Sequence, residues 1–146
     1  MSAPRVWRIV AAIVGLLWLG SILVPAVEPQ NDSAYPGYMI LMLGWLGVFI
    51  FQFGWFANLL IPPALVLLLL ERSSRLLPRL IGGGLLVFSL NALFWHEMYY
   101  DNGSSPIEVY HPGYFMWFLA NLIAALALFA RVHFQEEDQD EPVRSH

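Results

Sequence analysis

His96, Glu97, Tyr99, Tyr100, Asp101, Glu108, Tyr110 and His111 fall close together in the chain and form its richest run of side chains able to do chemistry. Imidazole and carboxylate groups suit zinc or copper, and two histidines flanking one hairpin approach each other if the loop folds back. The candidate outer-face site is therefore His96, Glu97, Asp101, Glu108 and His111, with His96 and His111 as the metal-ligand candidates and a quinone or a lipid headgroup as the other occupant. No His-x-x-x-His or His-Glu-x-x-His spacing fixes two ligands on one helical face. The plainer reading is structural: Trp95 and His96 end a helix at an interface, Glu97 and Asp101 are solvated, and Asp101-Asn102-Gly103 makes a turn.

Catalytic signatures are missing. Gly82-Gly83-Gly84 is not followed by Lys-Ser or Lys-Thr, so it is no phosphate loop, and no Gly-x-Ser-x-Gly elbow occurs. Bis-histidine haem ligation needs two rings at one depth, whereas His96 and His133 belong to opposite ends and His111 runs straight into Pro112. No catalytic residue and no cofactor is expected.

The elements that hold these residues follow from composition. Of 146 residues, 58% are apolar and 12% charged, against about 25% charged in soluble domains. The bilayer is the expected solvent. A net charge of −4 argues against nucleic acid, and the absence of cysteine excludes a disulfide framework and a thiolate metal site. Residues Val6 to Val27 carry one charge, Arg8, and are long enough to cross; the rival reading, a cleaved signal peptide ending near Val24-Pro25-Ala26, expects a shorter apolar core. Tyr38 to Leu70 contains no charge and is too long for one straight span, so a break is expected near Asn58 to Pro63, where two prolines interrupt the helix. A third span follows Pro78, and a fourth runs from Pro112 to Val132. The expected fold is all-α: a polytopic membrane domain over residues 1–133 with four transmembrane helices, the second long and broken, followed by a disordered acidic cytoplasmic tail over 134–146.

Arginine placement orients the spans. With four crossings, Arg5, Arg8, Arg72, Arg75, Arg79, Arg131 and Arg144 share one side, so the positive-inside rule puts both termini in the cytoplasm of a plasma (inner) membrane. Tyr35, Tyr38, Tyr99, Tyr100, Tyr110 and Tyr114 then collect at the opposite interface, as an aromatic belt does.

Polar side chains within the spans are Gln52, Asn58, Ser89, Asn91 and Asn121. None is ionisable, which counts against proton-coupled transport, and the plain role for each is hydrogen bonding between helices. Gly44, Gly47, Gly54 and the Gly82 to Gly84 run offer close-packing faces. Gly44-Trp45-Leu46-Gly47, then Gly54-Trp55-Phe56-Ala57-Asn58, and Gly113-Tyr114-Phe115-Met116-Trp117-Phe118 resemble recurrent features of small uncharacterised bacterial inner-membrane proteins with four predicted spans. In those proteins the Trp-x-Ala-Asn element runs directly into proline, whereas here Pro62-Pro63 follows four residues later. The resemblance implies a bacterial plasma membrane and no activity.

The function expected from these features is non-catalytic: an integral membrane protein acting as accessory, scaffold or assembly partner, in contact with the lipid bilayer and with a second copy or another membrane protein. The alternatives are the outer-face metal- or quinone/lipid-binding site, and a small transporter or channel using the broken second span.

Overall fold

The computed structural model describes residues 3–70, 74–100 and 103–140, with side chains described for 5–70, 74–100 and 103–134. Helix α1 (Ala3–Leu23) is followed by strands β1 (Pro25–Pro29) and β2 (Tyr35–Pro36). Helix α2 (Gly37–Leu43) runs into a 3-10 helix, Gly44–Ile50, and after a reversal the 3-10 turn Gly54–Phe56 leads into α3 (Ala57–Leu69). Helix α4 (Leu76–Ala92), strands β3 (Glu97–Tyr100) and β4 (Gly103–Tyr110), and α5 (Pro112–Asp140) complete the chain.

Helical periodicity decides which side chains meet. Helix α4 buries Pro78, Ile81, Gly82, Leu85, Ser89 and Ala92, a stripe at three- and four-residue steps. On α5 the stripe is Ala120, Asn121, Ala124, Ala125, Leu128, Arg131 and Val132, dominated by small residues that let its neighbours approach. Among the described side chains of α1, Ala11, Val14 and Ser21 are buried, while Leu16, Leu19 and Leu23 face outward. Helix α5 packs against α1, α3 and α4, and α3 against α1 and α4. The α1–α5 pair is antiparallel: the rings of Trp7 and Phe134 lie 6.3 Å apart at one end, and Met116 packs on Gly20 at the other.

The segments at the Met116 end pair with one another. They form a four-stranded antiparallel sheet in the order β2-β1-β4-β3. Val27 lies opposite Tyr110 and Glu28 opposite Val109, with a bulge before Pro29 opposite Ile107. Met98 faces Ser105 across the β3–β4 hairpin. The protein is thus mixed, five helices with an antiparallel sheet, and the all-α expectation is corrected. The strands escape a sequence reading because Pro25, Pro29, Pro36 and Pro106 interrupt any alternation, and because β1 finds its partner β4 some eighty residues away.

The count of four transmembrane helices is corrected as well. Two helical stretches, Arg5–Leu23 and Pro112–Phe134, are long and apolar enough to cross a membrane. Gly54–Leu69 and Leu76–Ala92 are shorter apolar helices; the latter, 17 residues, rises about 26 Å, short of a ~30 Å hydrocarbon core. The break in the second apolar segment also lies elsewhere than expected. Pro62 and Pro63 sit inside α3, and the chain reverses at Phe51, whose backbone is left-handed at φ 59°. Neighbouring elements can absorb the missing proline donors, whereas the reversal is fixed by a side chain from α4 described below. Helix α5 runs on to Asp140, and residues 141–146 of the acidic tail lie outside the described residues.

Candidate functional site: a chamber beneath α2

Asn58 stands where three helices meet. Its carboxamide oxygen accepts the indole N–H of Trp18 from α1 at 2.9 Å and that of Trp117 from α5 at 3.0 Å, and its amide donates to the Trp55 carbonyl at 2.9 Å. A carboxamide offers both an acceptor with two lone pairs and a donor, so one side chain satisfies two indoles and a helix-start carbonyl. Trp55 in turn donates its indole N–H to the Leu41 carbonyl at 2.8 Å, tying α2 to the bundle. Gly44 makes the approach possible, because a Cβ there would come within 2.5 Å of the Trp55 ring.

Asn91 secures the other side. Its oxygen accepts the backbone N–H groups of Phe53 at 2.6 Å and Gly54 at 3.1 Å, and its amide donates to the Phe51 carbonyl at 3.3 Å. Gln52 donates to the Phe94 carbonyl at 3.2 Å. These bonds hold the reversal against the end of α4, while residues 37–50, which touch α1, β1 and Trp55, include no fully buried residue.

Behind that segment is a cavity of about 560 Å³, bounded by α2, the 3-10 helix, the ends of α1, α4 and α5, and strand β3. Its walls are largely aliphatic and aromatic, with Trp55, Trp95, Trp117 and Tyr114 among them. Gln52, Asn58 and Glu97 supply polar atoms, and Tyr35, Tyr99 and Tyr100 stand at the sheet end. Size and lining match those of sites for apolar small molecules, which take a few placed polar groups in an apolar wall.

The hydroxyls of Tyr35, Tyr99 and Tyr110 are engaged. Tyr35 donates to Asp32 at 2.7 Å; that bond, with burial, pushes its hydroxyl well above the usual tyrosine range and pulls the Asp32 carboxyl below its own. A hydrogen bond to Glu97 likewise raises Tyr99. Tyr110 is raised by burial, and its hydroxyl donates to the Trp95 carbonyl.

The five outer-face candidates do not converge. His96 is exposed, with its Nδ1 3.4 Å from the Tyr110 hydroxyl. Glu97 opens β3 and Glu108 lies on β4, both exposed. His111, at the mouth of α5, pairs through Nε2 with Glu28 of β1 at 2.8 Å. Asp101 lies outside the described residues. Among the described residues no group of three His, Cys, Asp or Glu side chains is placed to hold a metal ion. Of the four that are described, Glu97 alone lines the chamber.

Of the intramembrane polar candidates, Gln52 and Asn58 line the chamber and Asn91 braces its edge. Ser89 and Asn121 are buried in the bundle core. The Asn121 amide donates to the Trp117 carbonyl at 2.9 Å, while its oxygen and the Ser89 hydroxyl have no hydrogen-bond partner among the described residues. Sequence reasoning missed Glu28, whose partner emerges only from the β1–β4 pairing, and the indoles of Trp18, Trp55 and Trp117, which are indistinguishable in sequence from membrane anchors.

No family model matches this sequence, and no curated protein and no solved structure matches it either.

Proposed function

We propose that this chain is an integral membrane protein that holds an apolar small molecule in the chamber beneath α2. The observation that carries the reading is the chamber itself: about 560 Å³ of largely apolar space at one end of a helical bundle, with its outer wall, residues 37–50, burying none of its own side chains. Trp55 ties this wall to the bundle and Asn91 braces the reversal at its end, while a space of ligand size is left behind it. The surroundings favour lipid. Outward-facing Leu16, Leu19, Phe49, Phe51, Phe115 and Leu126 are exposed, an apolar exterior that water disfavours. Arg5, Arg8 and Arg131 belong to the end opposite the sheet, which under the positive-inside rule supports an orientation with that end in the cytoplasm of a plasma membrane and the chamber toward the outer face. This agrees with the membrane implied by the resemblance of the Gly-Trp segments to small bacterial inner-membrane proteins.

The accessory or assembly-partner reading draws on the same exterior, which a second membrane protein would cover as well as lipid does. One purification separates the two. The protein is extracted in mild detergent, and its organic-solvent extract and co-purifying chains are measured by mass spectrometry, with Ile40→Trp as the variant that fills the chamber. A small apolar molecule near one per chain, lost in Ile40→Trp while helical circular dichroism is kept, is the expected result. An extract identical for the two proteins overturns the chamber reading, and a stoichiometric second chain in both supports the assembly partner. Cysteines introduced at Ser74 and Ser104 and labelled from each side test the orientation, with Ser104 expected to react from outside.

A further inference from the structure

The charges of this molecule are sorted by end. No arginine or lysine occurs between Arg8 and Arg72, or between Arg79 and Arg131. The sheet end is built from those two intervals, and its described charged side chains are Glu28, Asp32, Glu97 and Glu108. The chamber reaches this end through Tyr35 of β2 and the β3 residues Glu97 to Tyr100. Among its described lining residues Glu97 is the one acidic side chain, and no histidine, lysine or arginine is among them. Beside Glu97 stand Tyr99, Tyr100, Tyr35 and Trp95, whose ring faces attract cations.

Resting on the reading of the chamber as a ligand site, we propose that its occupant is an amphiphile with an apolar chain and a positively charged head. The chain lies among Trp55, Trp117 and the aliphatic wall of α2, and the head sits at the Glu97 carboxylate and the tyrosine rim. Glu97 is exposed, so its attraction for a cation is moderated by solvent and is reinforced by the ring faces beside it. A carboxylate or phosphate head meets Glu97 with no lysine or arginine among the described lining residues, so like charge disfavours it. Discrimination between heads thus comes from one side chain and from an end of the molecule free of arginine.

The test uses the full-length protein in nanodiscs of neutral lipid and three amphiphiles with the same brominated chain, headed by trimethylammonium, hydroxyl or carboxylate. Bromine quenches the Trp55, Trp95 and Trp117 fluorescence when the chain enters. At pH 8 the ammonium compound is expected to bind at least ~10-fold more tightly than the carboxylate, with the alcohol between them. Glu97→Gln should lower the ammonium compound to the level of the alcohol while leaving the alcohol unchanged. Binding of the carboxylate as tightly as the ammonium, or a preference that survives Glu97→Gln, overturns the proposal and leaves the chamber reading standing. Quenching by all three that is the same in wild type and in Ile40→Trp removes the chamber reading itself, and this proposal with it.

Discussion

The carboxamide oxygen of Asn91, in the last turn of α4, accepts the backbone N–H of Phe53 at 2.6 Å across 38 positions of sequence. It also takes the N–H of Gly54, so one side chain closes the reversal that separates the chamber wall from α3. A reversal at Phe51, in left-handed backbone where a side chain is strained, needs such an outside partner.

Asn91→Leu leaves those two backbone donors without their acceptor and should destabilise the fold by about 1–3 kcal/mol. Hydrogen exchange at residues 44–56 should accelerate selectively. Asn91→Asp keeps the acceptor and should retain most of the protection; equal exchange in both variants would show that the reversal holds without this side chain.

Asn58→Leu removes the acceptor shared by Trp18 and Trp117. With both indole donors left in an apolar setting, the expected loss is roughly 2–4 kcal/mol, read as a lower thermal midpoint in detergent. Trp18→Phe removes one donor together with its need and should be milder than Asn58→Leu, the order that distinguishes a shared brace from simple packing.

At the opposite end, Arg131 is 5% exposed and donates to the carbonyls of Leu67 and Leu70 at the close of α3. A cation on the last carbonyls of a helix also opposes the negative end of its dipole. Arg131→Met should cost about 1.5–3 kcal/mol in thermal unfolding. Arg131→Lys should recover only part, because a point charge cannot fork to two carbonyls.

Glycines divide by what surrounds them. A Cβ at Gly113 would meet the Pro25 carbonyl oxygen at 2.6 Å and that of Val24 at 3.0 Å, where β1 crosses the start of α5. Gly113→Ala should therefore destabilise by about 1–3 kcal/mol. Gly83, within α4, has nothing within 4 Å of a built Cβ, and Gly83→Ala should be neutral or stabilise by up to ~1 kcal/mol. Thermal midpoints that move together would refute the distinction.

The Asp32–Tyr35 contact sets a pH dependence at the β1–β2 turn. The Asp32 carboxyl is lowered first by the Tyr35 hydroxyl and then by the Ser33 N–H. A depressed acid contributes stability that is present above its unfolded value, near pH 4, and is lost as pH falls through the folded one. Tyr35, raised by the same bond, contributes below its unfolded value and loses that as pH rises through the folded one. Carboxyl NMR titration should find Asp32 below the ordinary aspartate range, moving up in Tyr35→Phe; an unchanged Asp32 in that variant would assign the shift elsewhere.

Local pattern in the sequence marked the two long apolar helices, α1 and α5, but not the count of spans or the place of the break. The uncharged runs of α1 and α5 and the small-residue stripe of α5 are periodic features, and periodicity is a property of neighbours in the chain. The polar residues to watch, Gln52, Asn58 and Asn91, could also be picked out by sequence, because an amide in an apolar run must find a partner. Which partner each finds was decided by tertiary structure alone. Asn58 gathers indoles from positions 18 and 117, Asn91 holds a turn 38 residues away, and His111 meets Glu28 rather than His96. The sheet belongs to the same class, since β1 and β4 become strands by meeting each other across the intervening helices. So does the chamber: it is a volume left between elements distant in sequence, and no stretch of residues encodes it locally.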